Sequence, residues 1–303
     1  MTQRSVRVRF APSPTGNMHI GGLRTALFNW LFARHMAGVF LIRIEDTDRE
    51  RSEQKYVQAL LDALAWVGIE SDEEIIFQSQ RQEAYHEVVN RLLAEKKAYR
   101  CVCTAEELEQ RVRAAGVSDE HYGYDGFCKN RSLPHDENRP YGIRFAIPEN
   151  VTALTVTDLI RGSVVFERSQ LDDFIIFRSD GTPMYNFAVV VDDAFSRITH
   201  IIRGEEHLPN TPKQMLLYQA CGYEVPYFAH IPMILAPDGS KLSKRHGAVD
   251  VLSYRQEGFL SDALVNYIVR LGWSHGDQEM FTRSEMIASF TLDGVGKKAA
   301  IFD

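Results

Sequence analysis

The sequence predicts an α/β chain in which a parallel, doubly wound sheet is interrupted by a β-rich insertion and followed by helices. Three observations carry this: a strand, helix, strand opening, a change to short β-favouring segments after Tyr99, and a return to strand, helix, strand from about residue 198. Alternating strands and helices imply a sheet covered on both faces, with right-handed crossovers.

In chain order, Val6, Val8 and Phe10 alternate with Arg7 and Arg9, the period of a strand. A Pro-rich turn follows, and then a helix whose apolar stripe is Leu23, Ala26, Leu27, Trp30 and Leu31, with Gly38 suited to its stop. Residues 39–44 form an apolar strand broken by Arg43, ending at Glu45, Asp46 and Asp48. Helices are expected near 53–67 and 80–96. Over 101–193 the strand signals are 141–147, 163–166 and 174–177, with turns at Arg161-Gly162 and Asp180-Gly181. A strand over 198–203, a helix from Thr211-Pro212 to Gly222 and a strand over 228–235 restore the parallel pattern. From 249 the signals are helical: 251–257, 261–271 and 282–290.

At 303 residues the chain exceeds what one core usually serves. The boundaries read as 1–100 and 194–247 for two halves of the sheet domain, 101–193 for the insertion and 248–303 for the start of a helical region. The end at Asp303, after Ile301 and Phe302 and without a polar tail, reads as a cut. Hydrophobic residues at 45% and charged residues at 25% are ordinary for a folded soluble chain, and the net charge of -7 gives no whole-chain support for a nucleic-acid partner. No apolar run approaches the roughly 20 residues of a membrane span and the polar start resembles no signal peptide, so the cytoplasm is expected.

Two stretches carry chemistry. Pro12-Ser13-Pro14-Thr15-Gly16 leads into His19-Ile20-Gly21-Gly22, a turn that opens a helix and points backbone N–H groups and a positive dipole end at an anion. Far downstream, Lys241-Leu242-Ser243-Lys244-Arg245 offers point charges to a departing pyrophosphate. Neither a G-x-x-x-x-G-K nor a G-x-G-x-x-G pattern is present, so a P-loop kinase and a dinucleotide enzyme are not favoured. A His near a helix start, or a run of lysines, is alone an ordinary surface feature. Their combination is what points to nucleotide chemistry.

With these motifs the chain resembles the class I aminoacyl-tRNA synthetases, and within them the bacterial-type glutamyl enzymes. The resemblance runs through Arg9, 12–16, 19–22, Arg43-Ile44-Glu45-Asp46-Thr47-Asp48, Tyr124-Asp125-Gly126, Tyr185, Val191-Asp192-Asp193, Arg203-Gly204-Glu205-Glu206-His207, 241–247 and Leu271-Gly272-Trp273. It implies a Rossmann-like sheet, an inserted acceptor-binding subdomain and a helical stem-contact region. It also implies the reaction: L-glutamate and ATP give glutamyl-adenylate, and the glutamyl group passes to the end of tRNA(Glu). The second His of the class-wide His-Ile-Gly-His pattern is Gly22 here, a departure that glutamate enzymes share.

Residue by residue, the resemblance gives His19, Lys241 and Lys244 to the chemistry. It gives Ser13, Gly21, Glu206, Leu242, Ser243 and Arg245 with them to ATP, and lets Mg²⁺ bridge phosphate oxygens. Arg9 and Arg203 face carboxylate, Tyr185 adds a hydroxyl and Glu45 accepts the α-ammonium. A substrate with two carboxylates and one ammonium needs such a set, and guanidinium suits carboxylate best. Without the resemblance, Arg9 reads as a strand-end surface residue, Tyr185 as a core aromatic and Glu45 as a helix-start charge.

Cys101, Cys103 and Cys128 are spaced as thiolates for Zn²⁺, and some relatives hold zinc there with a His two residues after the third Cys. That position is Asn130, so His121, Tyr124 or His135 would have to substitute, and three reduced thiols are an equal reading. Cys221 is expected in the core. Lys129, Arg131, Arg139 and Arg144 are the basic residues of the insertion that would touch tRNA phosphate, and a monomer is expected. The rival readings are a short paralogue that glutamylates the queuosine base of tRNA(Asp), a small-molecule nucleotidyltransferase that shares the His-x-Gly start, and a catalytically silent tRNA-binding module.

Overall fold

A computed structural model describes residues 5–47, 53–115, 124–129, 140–240, 242 and 250–302. Strand β1 (Arg7–Phe10), helix α1 (Ile20–His35) and strand β2 (Val39–Ile44) form the opening unit, with β1 and β2 parallel and Val8 opposite Phe40. Helix α2 (Gln54–Trp66) and strand β3 (Ile76–Phe77) extend it, β3 pairing parallel with the end of β2. Helix α3 (Gln82–Ala94) leads to strand β4 (Ala98–Cys101) and helix α4 (Ala105–Ala115).

Strands β5 (Gly142–Phe145), β6 (Ala153–Asp158), β7 (Gly162–Glu167) and β8 (Ile175–Phe177) precede helix α5 (Tyr185–Phe195). Strand β9 (His200–Gly204), helix α6 (Thr211–Cys221), strand β10 (Tyr227–Ile231) and strand β11 (Ile234–Leu235) follow. The chain closes on α7 (Val251–Gln256), α8 (Ser261–Arg270), α9 (Arg283–Ser289) and β12 (Ala300–Ile301), which pairs with β11.

The strand order runs β3-β2-β1 on one side and β9-β10-β6-β7 on the other. Between the halves β1 lies beside β9, and the Thr199 N–H donates to the Arg7 carbonyl at 2.9 Å. The chain therefore winds outward in both directions from this seam, the place where an open α/β sheet leaves a crevice at its strand ends. Residues alternate across β2: Phe40, Ile42 and Ile44 join one core with α1, α2, α8 and α9, while Leu41 joins a second core with α3, α5 and α6. This is the doubly wound sheet the sequence predicts.

Several elements differ from expectation. Helices α4 and α5 occupy part of the stretch read as short strands, and β6 joins β10 in parallel, Phe228 opposite Asp158. The 228–235 strand is two, β10 and β11, because Pro232 cannot donate to a ladder. Gly38 does not supply the left-handed turn after α1. Ala37 does, at φ 47°, with the Gly38 N–H reaching back to the Ala33 carbonyl at 2.8 Å. Gly38 is instead a close approach, since a β-carbon there would lie 2.4 Å from the Val6 carbonyl oxygen. Gly222 does stop α6 in the left-handed region, as expected.

Candidate active site

The Pro12–Gly16 turn leaves the end of β1 and delivers His19 to the N-cap of α1. There the imidazole Nδ1 accepts the Gly22 N–H at 3.1 Å, which leaves the ring proton on Nε2 as a donor. Gly21 permits this fold-over, because a β-carbon at 21 would meet Nδ1 at 3.0 Å.

A cavity of about 850 Å³ opens at these strand ends and is lined by Arg9, Ser13, His19, Gly21, Glu45, Tyr185, Arg203, Glu206 and Leu242, among others. Nine of the predicted site residues, from seven of the motif stretches, thus line one cavity. Lys241, Ser243, Lys244 and Arg245 lie outside the described residues. Both flanks of their loop reach the cavity: Leu242 lines it and bonds back to the Ile234 carbonyl at 3.3 Å, and Asp250 bridges to His19. Asp250 also accepts from Asn17 Nδ2 at 2.9 Å, and the Val251 N–H donates to the Met18 carbonyl at 2.9 Å. Leu242 and Asp250 thus both lie at the cavity, Asp250 beside the helix start that carries His19.

Beneath the cavity floor lies a buried ionic lattice. Arg9 Nε meets Asp193 Oδ1 at 3.0 Å, Arg43 Nη1 meets the same oxygen at 2.5 Å, and Arg43 Nη2 meets Glu45 Oε1 at 3.1 Å. Asp192 takes Arg81 Nε at 2.5 Å, Gln78 Nε2 at 2.8 Å and the Tyr85 hydroxyl at 2.8 Å. Burial alone would lower Arg43, but Asp193, Glu45 and Asp192 outweigh it and raise its pKa well above the usual guanidinium value. For Glu45 burial wins over Arg43, so its carboxyl sits above the usual range. The net rise is smaller than burial alone would give, because Arg43 and Arg9 pull the other way.

Arg203 is the odd member. It is 5% exposed, yet among the described residues no carboxylate pairs with it. Its Nε donates to His230 Nε2 at 3.1 Å and its Nη2 to Thr211 Oγ1 at 2.9 Å, while Nη1 has no partner there. Burial, then the Arg9 charge, lowers its pKa. A buried cation with an unmet donor is costly unless an anion arrives.

Tyr185 begins α5 and donates its hydroxyl to His207 Nδ1 at 3.2 Å, and the Asn210 amide approaches the same nitrogen at 3.5 Å. Burial and the Arg203 charge push His207 down to about 4, so it faces the cavity neutral. Burial and Glu45 raise Tyr185, so its hydroxyl stays protonated. His207 and the pair Asp192-Asp193 were given no role in the sequence reading. The signal was there in Asp192-Asp193, two carboxylates in an otherwise apolar helix.

The thiols of Cys101, Cys103 and Cys128 converge, all within 4.8 Å of one another, with Cys103 and Cys128 Sγ 3.4 Å apart. The Tyr124 hydroxyl lies 3.4 Å from Cys101 Sγ and 3.6 Å from Cys103 Sγ. Burial would lift the Cys101 thiol, but its hydrogen bonds with Tyr124 and Arg144 pull it below its ordinary value. His121, Asn130 and His135 lie outside the described residues, as do Arg131 and Arg139. Arg144 is buried under the Tyr124 ring, 3.6 Å from its centroid, and donates to Cys101 Sγ, so it is not a surface contact for phosphate. Lys129 reaches Asp173 at 3.4 Å. Cys221 is buried, as expected.

Residues 5–303 match the family described as tRNA synthetases class I (E and Q), catalytic domain. The glutamate–tRNA ligase of Geobacter sulfurreducens is 55% identical over 299 residues, covering 98% of this chain and 64% of that protein. That of Thermodesulfovibrio yellowstonii is 56% identical, covering 98% of this chain and 63% of that protein. The chain thus spans a little under two thirds of the length of these curated relatives. A crystal structure of a glutamate tRNA ligase from Elizabethkingia meningosepticum in complex with its amino acid superposes with a TM-score of 0.90 at 38% identity, covering 99% of this chain and 67% of that one.

Proposed function

This chain belongs to the class I tRNA synthetases for glutamate and glutamine, and on that premise we propose that it activates L-glutamate with ATP and transfers it to tRNA(Glu). A glutamate carboxylate oxygen attacks the α-phosphorus of ATP, the bond to pyrophosphate breaks, and glutamyl-adenylate forms. A hydroxyl of the terminal adenosine of tRNA then attacks the acyl carbon, and AMP leaves. Positioning and charge stabilisation serve such a reaction better than covalent help.

Ser13, Gly21 and the N-terminus of α1 hold phosphate, and His19 donates to it through Nε2. Lys241 and Lys244 follow charge onto pyrophosphate, with Ser243 and Arg245 beside them and Leu242 and Glu206 near the nucleotide. Arg9 and Arg203 take carboxylates, Tyr185 turns its hydroxyl proton from His207 to the substrate, and Glu45 accepts the α-ammonium. Mg²⁺ would arrive with ATP and would need few protein ligands. When bound it spreads the phosphate charge. The observation that carries the reading is the single cavity shared by His19, Leu242 and the four amino-acid residues Arg9, Glu45, Tyr185 and Arg203.

The test is ATP–pyrophosphate exchange with and without tRNA(Glu). Exchange is expected with glutamate and at least roughly a hundredfold less with glutamine, whose amide leaves a buried guanidinium unpaired. Equal rates with the two amino acids would sink the assignment. The same reading makes 101–193 the segment that grips the acceptor end, 1–100 and 194–247 the catalytic halves, and 248–303 the start of the stem-contact region, in a cytoplasmic monomer. Among the described residues no helix is long and apolar enough to cross a membrane.

The thiol cluster fits Zn²⁺, with three sulfurs within 4.8 Å of one another and room for a fourth ligand from elsewhere. Zinc would tie the end of β4 to the 124–129 turn. Metal analysis of the purified chain should find one zinc that Cys128→Ser removes, and a zinc-free wild type would refute this.

A further inference from the structure

Behind Arg203 runs a second polar chain that touches no part of the cavity. Asp158 ends β6 and His230 lies in β10, and both side chains are fully buried. The His230 Nδ1 stands 2.6 Å from Asp158 Oδ2. A carboxylate only accepts, so Nδ1 carries the proton and Nε2 keeps its lone pair. That lone pair receives the Arg203 Nε–H at 3.1 Å.

The Asp158 carboxylate cannot rotate. Its Oδ1 accepts the N–H groups of Ile160 at 2.9 Å, Arg161 at 2.8 Å and His230 at 3.2 Å, so Oδ2 stays aimed at the ring. Burial lowers the pKa of His230, and the neighbouring Arg203 charge acts the same way, which keeps the ring neutral against the pull of Asp158. Arg203 is then held on its Nε edge, and its unpartnered Nη1 remains for a ligand.

We propose that Asp158 and His230 are positioning residues for amino-acid specificity, fixing through one imidazole tautomer the orientation in which Arg203 meets the substrate carboxylate. This rests on the reading that Arg203 binds glutamate. An isosteric change separates the positioning role from mere packing. In Asp158→Asn the three backbone N–H groups keep the amide oxygen at the Oδ1 position. The amide nitrogen therefore faces His230 and donates to Nδ1. The ring proton moves to Nε2 and opposes the Arg203 Nε–H.

The experiment measures glutamate-dependent exchange, in the presence of tRNA(Glu), together with the His230 tautomer by ¹⁵N NMR. Wild type should show the Nδ1–H tautomer. Asp158→Asn should show the other one, with the KM for glutamate raised roughly tenfold or more and the KM for ATP changed by less than about twofold, as loss of an oriented charged hydrogen bond implies. His230→Gln, which restores an acceptor toward Arg203 without Asp158, should recover most of the affinity, and His230→Leu should not. If Asp158→Asn does not fold, the wild-type tautomer and the two His230 variants decide. An Nε2–H tautomer in wild type, or a flipped tautomer with unchanged KM for glutamate, overturns the proposal. An Arg203→Lys variant with unchanged KM for glutamate would instead remove the reading beneath it.

Discussion

At the scale of single residues, charge placement explains the cavity better than residue type does. Arg9 and Arg43 share Asp193, while Arg203 is held by an imidazole and a hydroxyl, so its charge has no carboxylate beside it among the described residues. Neutral His207 avoids adding a second charge beside it. Its pKa of about 4 against 6.5 has a consequence for folding. Below pH 6.5 the unfolded chain takes up a proton that the folded chain refuses, so stability falls as pH drops from 6.5 and levels off near 4. The loss from this group is on the order of 3 kcal/mol. Burial of His200 and His230 lowers them in the same sense and steepens the slope. Urea unfolding at neutral and acid pH should show His207→Gln losing less stability on acidification than wild type. Parallel pH dependences would contradict it.

At the scale of elements, the limits of the sequence were physical. β2 was legible to the residue because its apolar run is bounded by Gly38 and Glu45. Helix α5 was not, since Phe187-Ala188-Val189-Val190-Val191 carries β-branched residues that tertiary burial overrides. Helix α4 could have been found: Thr104 caps the Glu107 N–H at 3.2 Å and Glu107 reciprocates at 3.0 Å, a capping box written as Thr-x-x-Glu. Ala37, not Gly38, takes the left-handed turn after α1, and this can be checked. Ala37→Gly should relieve left-handed backbone by about 1 kcal/mol, and Gly38→Ala should cost about 1–3 kcal/mol by forcing the Val6 backbone aside. Thermal unfolding that moves both variants in one direction would refute the assignment.

At the scale of the whole molecule, the two sides of the sheet seam bring together at one end what the chain separates. Ser13, His19 and Gly21 come from the first crossover, Glu45 from the end of β2, Tyr185 from α5, and Arg203 and Glu206 from the end of β9. That clustering was legible only through the motifs, because no periodicity links Arg9 to Arg203. Their shared wall follows from the strand order, with β1 beside β9, which local sequence does not encode. The relatives reported above are glutamate–tRNA ligases, so the short-paralogue and nucleotidyltransferase readings are not favoured. The central claim is that the His19 helix start and the 241–245 loop close on one ATP. The most direct measurement is a crystal structure of the chain with α,β-methylene ATP. Phosphate oxygens are expected within hydrogen-bonding distance of both His19 Nε2 and Lys241 or Lys244. Phosphates held by one stretch while the other points away from the nucleotide would contradict it.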